Sequence, residues 1–168
     1  MIINKRDDVE TAFKAAGCFC VYKDRVLVMQ RQRHKPYGLH WAIPTGKIEA
    51  GESAKECIVR ELEEELGLRV DTSLLFEIGD DIVNNDDDGT TFEYVSFVLE
   101  LDERPTLTLK VDEVRKTEWV SLRRIIKRRV VPYFYNTVHY LIDWRLSRPT
   151  QQRLFPMREA NSAKHRPA

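Results

Sequence analysis

The stretch between Ser53 and Gly67 constrains the fold most strongly, because it predicts one amphipathic helix whose two ends are both specified. Ser53 is followed three residues later by Glu56, the arrangement of a capping box at a helix N-terminus. Gly67 stands where a glycine commonly ends a helix. Apolar side chains recur every four residues and predict a stripe that packs against a sheet: Ala54, Ile58, Leu62 and Leu66.

Segments rich in β-forming residues lie on both sides of this helix. The predicted strands cover 12–22, 25–31, the segment WAIPTG at 41–46, a region near 74–83, 91–101 and 117–120. The turn-forming sequence NNDDDG at 84–89 predicts a hairpin between the two strands that flank it. Two more helices are predicted over 121–127 and 133–146. Strands mixed with helices in the middle and at the end indicate an α+β or α/β sandwich.

The bulk composition favours a single domain, with 168 residues, 42% hydrophobic and 32% charged. We predict that this domain covers 1–146 and that a flexible basic tail follows at 147–168. No apolar run approaches the roughly 20 residues needed to cross a bilayer, and the N-terminus lacks the apolar stretch of a secretory signal. We therefore expect a cytoplasmic protein that has no membrane partner.

The three cysteines match neither a disulfide framework nor the spacing of a zinc site. Cys18 and Cys20 lie two residues apart, and Cys57 is distant from both. On a strand, Cys18 and Cys20 would point to the same face, where we expect them as small core residues.

Four glutamates crowd the second half of the predicted helix, within RELEEELGL at 60–68. Residues three and four apart share a helix face, so Glu61, Glu64 and Glu65 form one acidic patch, whereas Glu63 faces solvent. Each like-charge pair at this spacing destabilises a helix by about 0.2–0.5 kcal/mol. A hard divalent cation such as Mg²⁺ or Mn²⁺ takes oxygen ligands and would remove that repulsion. The alternative is an exposed helix that carries ion pairs.

A longer pattern surrounds the acidic patch. Gly46 is followed by five residues, Glu52, seven residues and then REL-x-EE-x-GL over 60–68. This pattern resembles the signature of the Nudix hydrolase family at each of its nine defined positions. The resemblance implies a Nudix-type α/β/α sandwich with a mixed central sheet and a loop–helix–loop catalytic motif. It also implies hydrolysis of a pyrophosphate bond in a nucleoside diphosphate derivative with a divalent metal ion, Mg²⁺ or Mn²⁺.

The resemblance further implies roles for residues of the motif. Glu64 is our first choice for the general base that accepts a proton from the attacking water. Arg60 and Glu52 would form a pair that orients the motif rather than binding metal. The metal ligands would be the Gly46 carbonyl and the carboxylates of Glu61, Glu64 and Glu65.

An acidic residue outside the motif is also expected at the metal site by resemblance. Glu113 precedes Trp119 by six residues, as a glutamate of the metal site does in some members of the family. Two alternatives stay open here. The neighbouring Asp112 could take this role, or Glu113 could be a solvated loop carboxylate.

The substrate is less well defined by the sequence. Arg31 and Lys35, in the loop before the motif, are our candidates for phosphate contacts. Downstream markers of ADP-ribose or dinucleoside polyphosphate enzymes are absent, because Val83 and Asn84 stand at those positions. The common proline-glycine-glycine lead-in has Thr45 in place of its first glycine. By elimination we expect a nucleoside triphosphate, ordinary or oxidised.

Several alternatives remain open for function and partners. They are a nucleotide-sugar or other nucleotide-conjugate pyrophosphatase, a non-catalytic nucleotide-binding regulator, and an RNA 5′-end hydrolase. Residues 121–168 hold 11 Lys/Arg and 2 Asp/Glu. We interpret this segment as a solvated surface that balances the acidic site rather than as a nucleic-acid track. We expect a small-molecule nucleotide as partner, no nucleic acid, and a homodimer as an open alternative.

Overall fold

The computed structural model describes residues 9–85 and 88–148 of the chain. Four strands precede the first helix: β1 (Phe13–Tyr22), β2 (Arg25–Arg31), β3 (Trp41–Ala42) and β4 (Thr45–Lys47). Helix α1 covers Ala54–Leu66, and a 3₁₀ turn at Thr72–Leu74 leads to β5 (Leu75–Asn84). The remaining elements are β6 (Thr91–Glu100), β7 (Val114–Val120), α2 (Leu122–Ile125) and α3 (Phe134–Ser147).

The described strands form one seven-stranded mixed sheet. Strand β1 runs parallel to β6, in register from Phe13 opposite Phe92 to Val21 opposite Glu100. The other side of β1 pairs antiparallel with β4 and, at its far end, with β2. Strand β2 pairs with β3 and β7, and β5 forms the predicted hairpin with β6. The mixed central sheet that we predicted is therefore confirmed.

Helices α1 and α3 cover opposite faces of this sheet. On one face, Ile58, Leu62 and Leu66 of α1 are fully buried against a core that includes Cys18 and Cys20. On the other face, α3 packs on the alternate side chains of the same strands. Because neighbouring residues of a strand point to opposite faces, β1 contributes to both cores. The three-layer sandwich is confirmed, as is the placement of the two cysteines.

The segment WAIPTG differs from its prediction, because it forms two short strands rather than one. The chain leaves the ladder at Ile43 and Pro44, between β3 and β4. Proline has no backbone N–H to donate to a neighbouring strand. The Pro44 carbonyl still accepts a hydrogen bond from the Cys18 amide at 3.0 Å, so the break lies against β1.

Two other elements differ in length. Strand β7 begins at Val114 rather than near 117, because it pairs with β2 as far as Arg31. Helix α2 is shorter than the predicted 121–127. Val130 and Val131 are buried, and the Val131 amide bonds to the Trp41 carbonyl, which draws the chain out of the helix. Pairing between distant segments determines both differences.

The predicted tail at 147–168 lies almost entirely outside the described residues. Helix α3 includes Ser147, and Arg148 follows it, where its guanidinium lies 4.5 Å from the Trp144 ring and pairs with Glu100. No helix in the described ranges is long and apolar enough to cross a membrane.

Candidate active site

Helix α1 is held at both ends by the hydrogen bonds that its sequence predicts. The Glu56 amide donates to Ser53 Oγ at 3.2 Å, and the Ser53 amide donates to Glu56 Oε2 at 2.8 Å. At the other end Gly67 adopts a φ of 65°, and its amide donates to the Glu63 carbonyl at 2.9 Å. Glycine adopts this left-handed conformation at little cost. These caps therefore define where α1 begins and ends.

Arg60 joins the loop before α1 to the helix itself. Its Nε and Nη2 donate to the two carboxylate oxygens of Glu52 at 2.9 and 3.1 Å, and Nη2 also donates to the Lys47 carbonyl at 3.0 Å. Its Nη1 donates to Glu61 Oε1 at 2.5 Å. The hydrogen bonds from Arg60 lower the pKa of Glu52 and, in return, raise the pKa of Arg60. Two-point contacts of this kind fix orientation as well as distance.

Three glutamates of α1 lie on one side of the helix, but at different depths. Glu65 is buried, with 4% exposure, and its Oε2 atom has no hydrogen-bond partner among the described residues. Glu61 is partly buried, whereas the Glu64 side chain is 48% exposed and lies 3.9 Å from Arg60 Nη1. Glu63 pairs with Arg69 at 2.7 Å and is exposed, as predicted for its face.

Burial makes the two inner carboxylates costly to ionise. Desolvation raises the pKa of Glu65 well above its ordinary value, and the negative charges of Glu61 and Glu113 add to that rise. Desolvation also raises the pKa of Glu61, although Arg60 opposes the effect. A positive charge placed between these carboxylates would offset both costs. The chemistry of the donors therefore fits a hard divalent cation.

Gly46 allows one of these carboxylates to lie against the backbone. A Cβ atom at this position would lie 1.9 Å from Glu61 Oε1, far inside van der Waals contact. Any other residue at position 46 would therefore displace the Glu61 carboxylate. The Gly46 carbonyl, a predicted metal ligand, faces the Cys57 thiol, with Sγ 3.6 Å from the carbonyl oxygen.

Glu113 lies close to the helix glutamates but is held by lysines. Its Oε1 is 2.8 Å from Lys110 Nζ and 3.7 Å from Lys35 Nζ. The hydrogen bond from Lys110 is the main cause that lowers the pKa of Glu113. Lys35, predicted to contact substrate, therefore also contacts a predicted metal ligand. The adjacent Asp112 is exposed.

A small cavity of about 10 Å³ brings four of the predicted residues together: Arg31, Lys35, Glu65 and Glu113. Within the described ranges, no three His, Cys, Asp or Glu side chains already surround one metal position. Glu61 turns toward Arg60, and Glu113 turns toward the two lysines. Binding of a cation would require these two carboxylates to exchange their present partners for the metal.

A larger cleft of about 250 Å³ lies beside this cavity and was not predicted. Its walls carry five aromatic side chains: Phe13, Tyr37, Phe92, Tyr94 and Tyr133. The rings of Phe13 and Phe92 stack with their centroids 4.8 Å apart. Arg31 lines both the cleft and the small cavity, and Gly46 lines the cleft. The alternating aromatic residues within 91–101 indicate a strand with aromatic side chains on one face. They do not show which strand lies next to it.

The floor of the cleft is organised around Tyr94. Its hydroxyl shares a hydrogen bond with Thr45 Oγ1 at 2.9 Å, and a Cβ at Gly17 would lie 1.7 Å from it. Thr45 Oγ1 lies 3.1 Å from the Ile43 carbonyl, to which it can donate. Thr45, which replaces a glycine of the usual lead-in, thus connects the cleft to its neighbour Gly46 in β4.

Comparisons with known proteins agree with this arrangement. The NUDIX domain model matches residues 12–141. A Mycobacterium tuberculosis protein named "Putative 8-oxo-dGTP diphosphatase 2" is 46% identical over 67 residues, which cover 39% of this chain and 45% of that protein. The match thus spans less than half the length of that relative. The uncharacterized Nudix hydrolase YvcI of Bacillus subtilis is 26% identical over 119 residues, 71% of this chain and 72% of that protein.

A solved structure shares the fold. The NUDIX domain of Shewanella oneidensis NrtR, complexed with ADP ribose, superposes with a TM-score of 0.68 at 15% identity, over 85% of this chain and 94% of that domain. The family model covers most of the chain, including β1, α1, β6 and most of α3. With this fold and the capped acidic helix in place, the predicted resemblance is confirmed: the chain belongs to the NUDIX family of hydrolases.

Proposed function

We propose that the chain hydrolyses a pyrophosphate bond in a nucleoside diphosphate derivative with Mg²⁺ or Mn²⁺ as cofactor, and that a nucleoside triphosphate, ordinary or oxidised, is its substrate. The observation that carries this proposal is the buried Glu65 carboxylate, whose Oε2 atom has no hydrogen-bond partner among the described residues, next to a cleft with aromatic walls. A buried charge without a partner is costly unless a cation or ligand compensates it. The family membership supports the same chemistry.

We assign a role to each site residue according to how deeply its side chain is buried. Glu61, Glu65 and Glu113, with the Gly46 carbonyl, would hold the metal ion. A bound divalent ion would balance the phosphate charge and lower the pKa of the attacking water. Glu64 remains our choice for the general base, because it is the exposed member of the patch and can reach water. Arg60 and Glu52 would keep the loop and α1 in a fixed relation.

The neighbouring cleft supports a nucleotide as substrate. Its aromatic walls suit a planar base, and Arg31 lies where the cleft meets the cavity of Glu65 and Glu113. Arg31 Nε is oriented by the Pro36 carbonyl at 2.8 Å, and its other nitrogens would contact phosphate. The Mycobacterium tuberculosis relative, whose name includes 8-oxo-dGTP, supports an oxidised nucleoside triphosphate. The NrtR domain, solved with ADP ribose, supports a nucleotide conjugate as the second candidate.

Substitution of Glu64 tests the enzymatic proposal. Purified protein is incubated with ordinary and oxidised nucleoside triphosphates and with nucleotide conjugates in the presence of Mg²⁺ or Mn²⁺, and the nucleoside mono- and diphosphates formed are measured by chromatography. We expect Glu64→Gln to lower kcat at least about 100-fold, the usual scale for loss of a general base. Glu63→Gln is the matched control, because both side chains are 48% exposed on the same helix. Equal loss in both variants, or turnover of none of these substrates, would contradict the proposal.

A further inference from the structure

The hydroxyl groups that line the aromatic cleft are not equivalent. The cleft is lined by Tyr37, Thr45, Tyr94 and Tyr133, each of which carries one hydroxyl. Tyr37 donates to Asn85 Oδ1, and Tyr94 and Thr45 bond to each other. Tyr133 makes no side-chain hydrogen bond within residues 9–85 and 88–148. Tyr133 therefore presents a free donor to whatever occupies the cleft.

The Tyr133 hydroxyl is unpaired but keeps contact with water. Among described residues, the buried polar side-chain atoms without a partner are Glu65 Oε2, Ser96 Oγ and Arg128 Nη1, and the Tyr133 hydroxyl is not one of them. Tyr133 is one of the residues that line the cleft, so its ring and hydroxyl are candidates for contact with an occupant of the cleft. A tyrosine whose ring is packed and whose hydroxyl meets a binding site commonly hydrogen-bonds there.

The ring of Tyr133 is fixed by its aromatic neighbours. Its centroid lies 5.5 Å from that of Tyr94 and 6.3 Å from that of Phe92. Burial raises the pKa of Tyr133 to about 12; the positive charge of Arg31 opposes this rise, and Glu65 adds to it. The ring thus belongs to the aromatic wall, and the charges of Arg31 and Glu65, which both line the small cavity, act on its hydroxyl.

We propose that Tyr133 is a specificity-determining residue, whose hydroxyl donates a hydrogen bond to an oxygen in the sugar–phosphate part of the bound nucleotide. This inference rests on the proposed function for the identity of the ligand. The aromatic wall would hold the base, and Arg31 would contact the phosphates. Tyr133 would contact the portion between them. The contact would select ligands that present an acceptor oxygen at that point and disfavour those that do not.

The test measures binding rather than turnover, so that it does not depend on hydrolysis. Metal-free protein in EDTA is titrated calorimetrically with guanosine 5′-monophosphate, adenosine 5′-monophosphate and the two nucleosides. We expect Tyr133→Phe to weaken binding of a monophosphate about 3- to 10-fold if the acceptor is a sugar oxygen, and more than about 10-fold if it is a phosphate oxygen. Loss for the nucleoside as well as the monophosphate identifies the sugar; loss for the monophosphate alone identifies the phosphate.

Tyr135→Phe is the matched control, because it removes the same atom from a tyrosine two residues further along the chain that is 52% exposed. We expect this control to bind like the wild type. We also expect Tyr133→Phe to melt no lower than the wild type, because the hydroxyl has no protein partner to lose. Equal affinities of Tyr133→Phe and wild type for nucleosides and monophosphates would overturn the inference. Failure of hydrolysis with an intact Tyr133 effect would instead overturn the proposed function alone.

Discussion

Helices α1 and α3 cover opposite faces of the same sheet, but their ends and interiors differ. Side-chain hydrogen bonds cap the start of α1, and a left-handed glycine ends it. Helix α3 begins after Tyr133 without a side-chain cap. The buried face of α1 includes a carboxylate, Glu65, whereas α3 buries Phe134, Thr137 and Leu141. Of the two, α1 also carries the residues that we assign to chemistry.

This contrast shows two ways of positioning a helix. Helix α3 is held on the sheet by its buried side chains and by Tyr140, whose hydroxyl donates to the Asp80 carbonyl at 2.9 Å. For α1 the rotation about its axis also matters, since a small rotation would move Glu61 and Glu65 away from Gly46 and Glu113. That rotation is restricted by the helix caps, by the hydrogen bonds from Arg60 to Glu52 and by the close approach of Glu61 to Gly46. Several contacts outside the hydrophobic core therefore hold α1 in its orientation.

The largest expected effect is on the free energy of unfolding, when a buried side chain of α1 is truncated and compared with an exposed one of α3. Leu62 is fully buried, so Leu62→Ala should lower the free energy of unfolding by about 2–5 kcal/mol. Ile142 is 42% exposed, and Ile142→Ala should change the free energy of unfolding by less than about 0.5 kcal/mol. Urea denaturation measures both. A large loss at Ile142 would show that the outer face of α3 is covered by another part of the protein.

A second test concerns the buried carboxylate of α1. Because burial raises the pKa of Glu65 in the folded state, folding favours the protonated form. Stability contributed by that proton is present below the unfolded pKa of about 4.3 and is lost as pH rises through the folded pKa. In EDTA, the wild type should therefore lose stability relative to Glu65→Gln over this window, by at most about 1.4 kcal/mol per pH unit.

Urea denaturation between pH 4 and 8 measures this difference, and Glu63→Gln controls for the change in net charge. Adding Mg²⁺ should stabilise the wild type at the upper end of the range and have less effect on Glu65→Gln, because a bound cation compensates the ionised carboxylate. Parallel pH profiles for the wild type and Glu65→Gln in EDTA would contradict the assigned cost of burial.

The smallest expected effect tests the cap of α1. Ser53→Ala removes the acceptor of the Glu56 amide and should lower the free energy of unfolding by about 1 kcal/mol. Ser121→Ala, at the start of α2, is the matched control, because Ser121 makes no capping hydrogen bond there and should change little. Thermal or urea denaturation measures both variants. Equal losses would show that the cap of α1 adds nothing beyond its packing.

Local sequence was sufficient to predict α1. Its caps, its apolar stripe and the exposure of Glu63 follow from spacing along one helix, and the structure has them at the predicted positions. The predicted hairpin of β5 and β6 is confirmed for the same reason, because its turn residues are adjacent. The roles of Glu61, Glu64 and Glu65 as base and ligands stay predictions that the variants above can test.

Features that depend on distant pairing were not predictable. The aromatic cleft needs Phe13 opposite Phe92, a parallel register between β1 and β6 that no short segment encodes. The Lys110 and Lys35 contacts of Glu113, and the free hydroxyl of Tyr133, likewise depend on how loops and helices meet. Alternation within a strand shows which residues share a face, but not what faces them.

By itself, the sequence determined the capped helix, the acidic face and the family, because each depends on residue types at fixed short spacings. Only the tertiary structure decided that Glu65 is buried while Glu64 is exposed, although both belong to the same predicted patch. The physical reason is that exposure depends on the layer packed beside a helix. The cost of ionising a carboxylate depends on its burial and on the charges near it. Both are set by residues that are distant in the sequence.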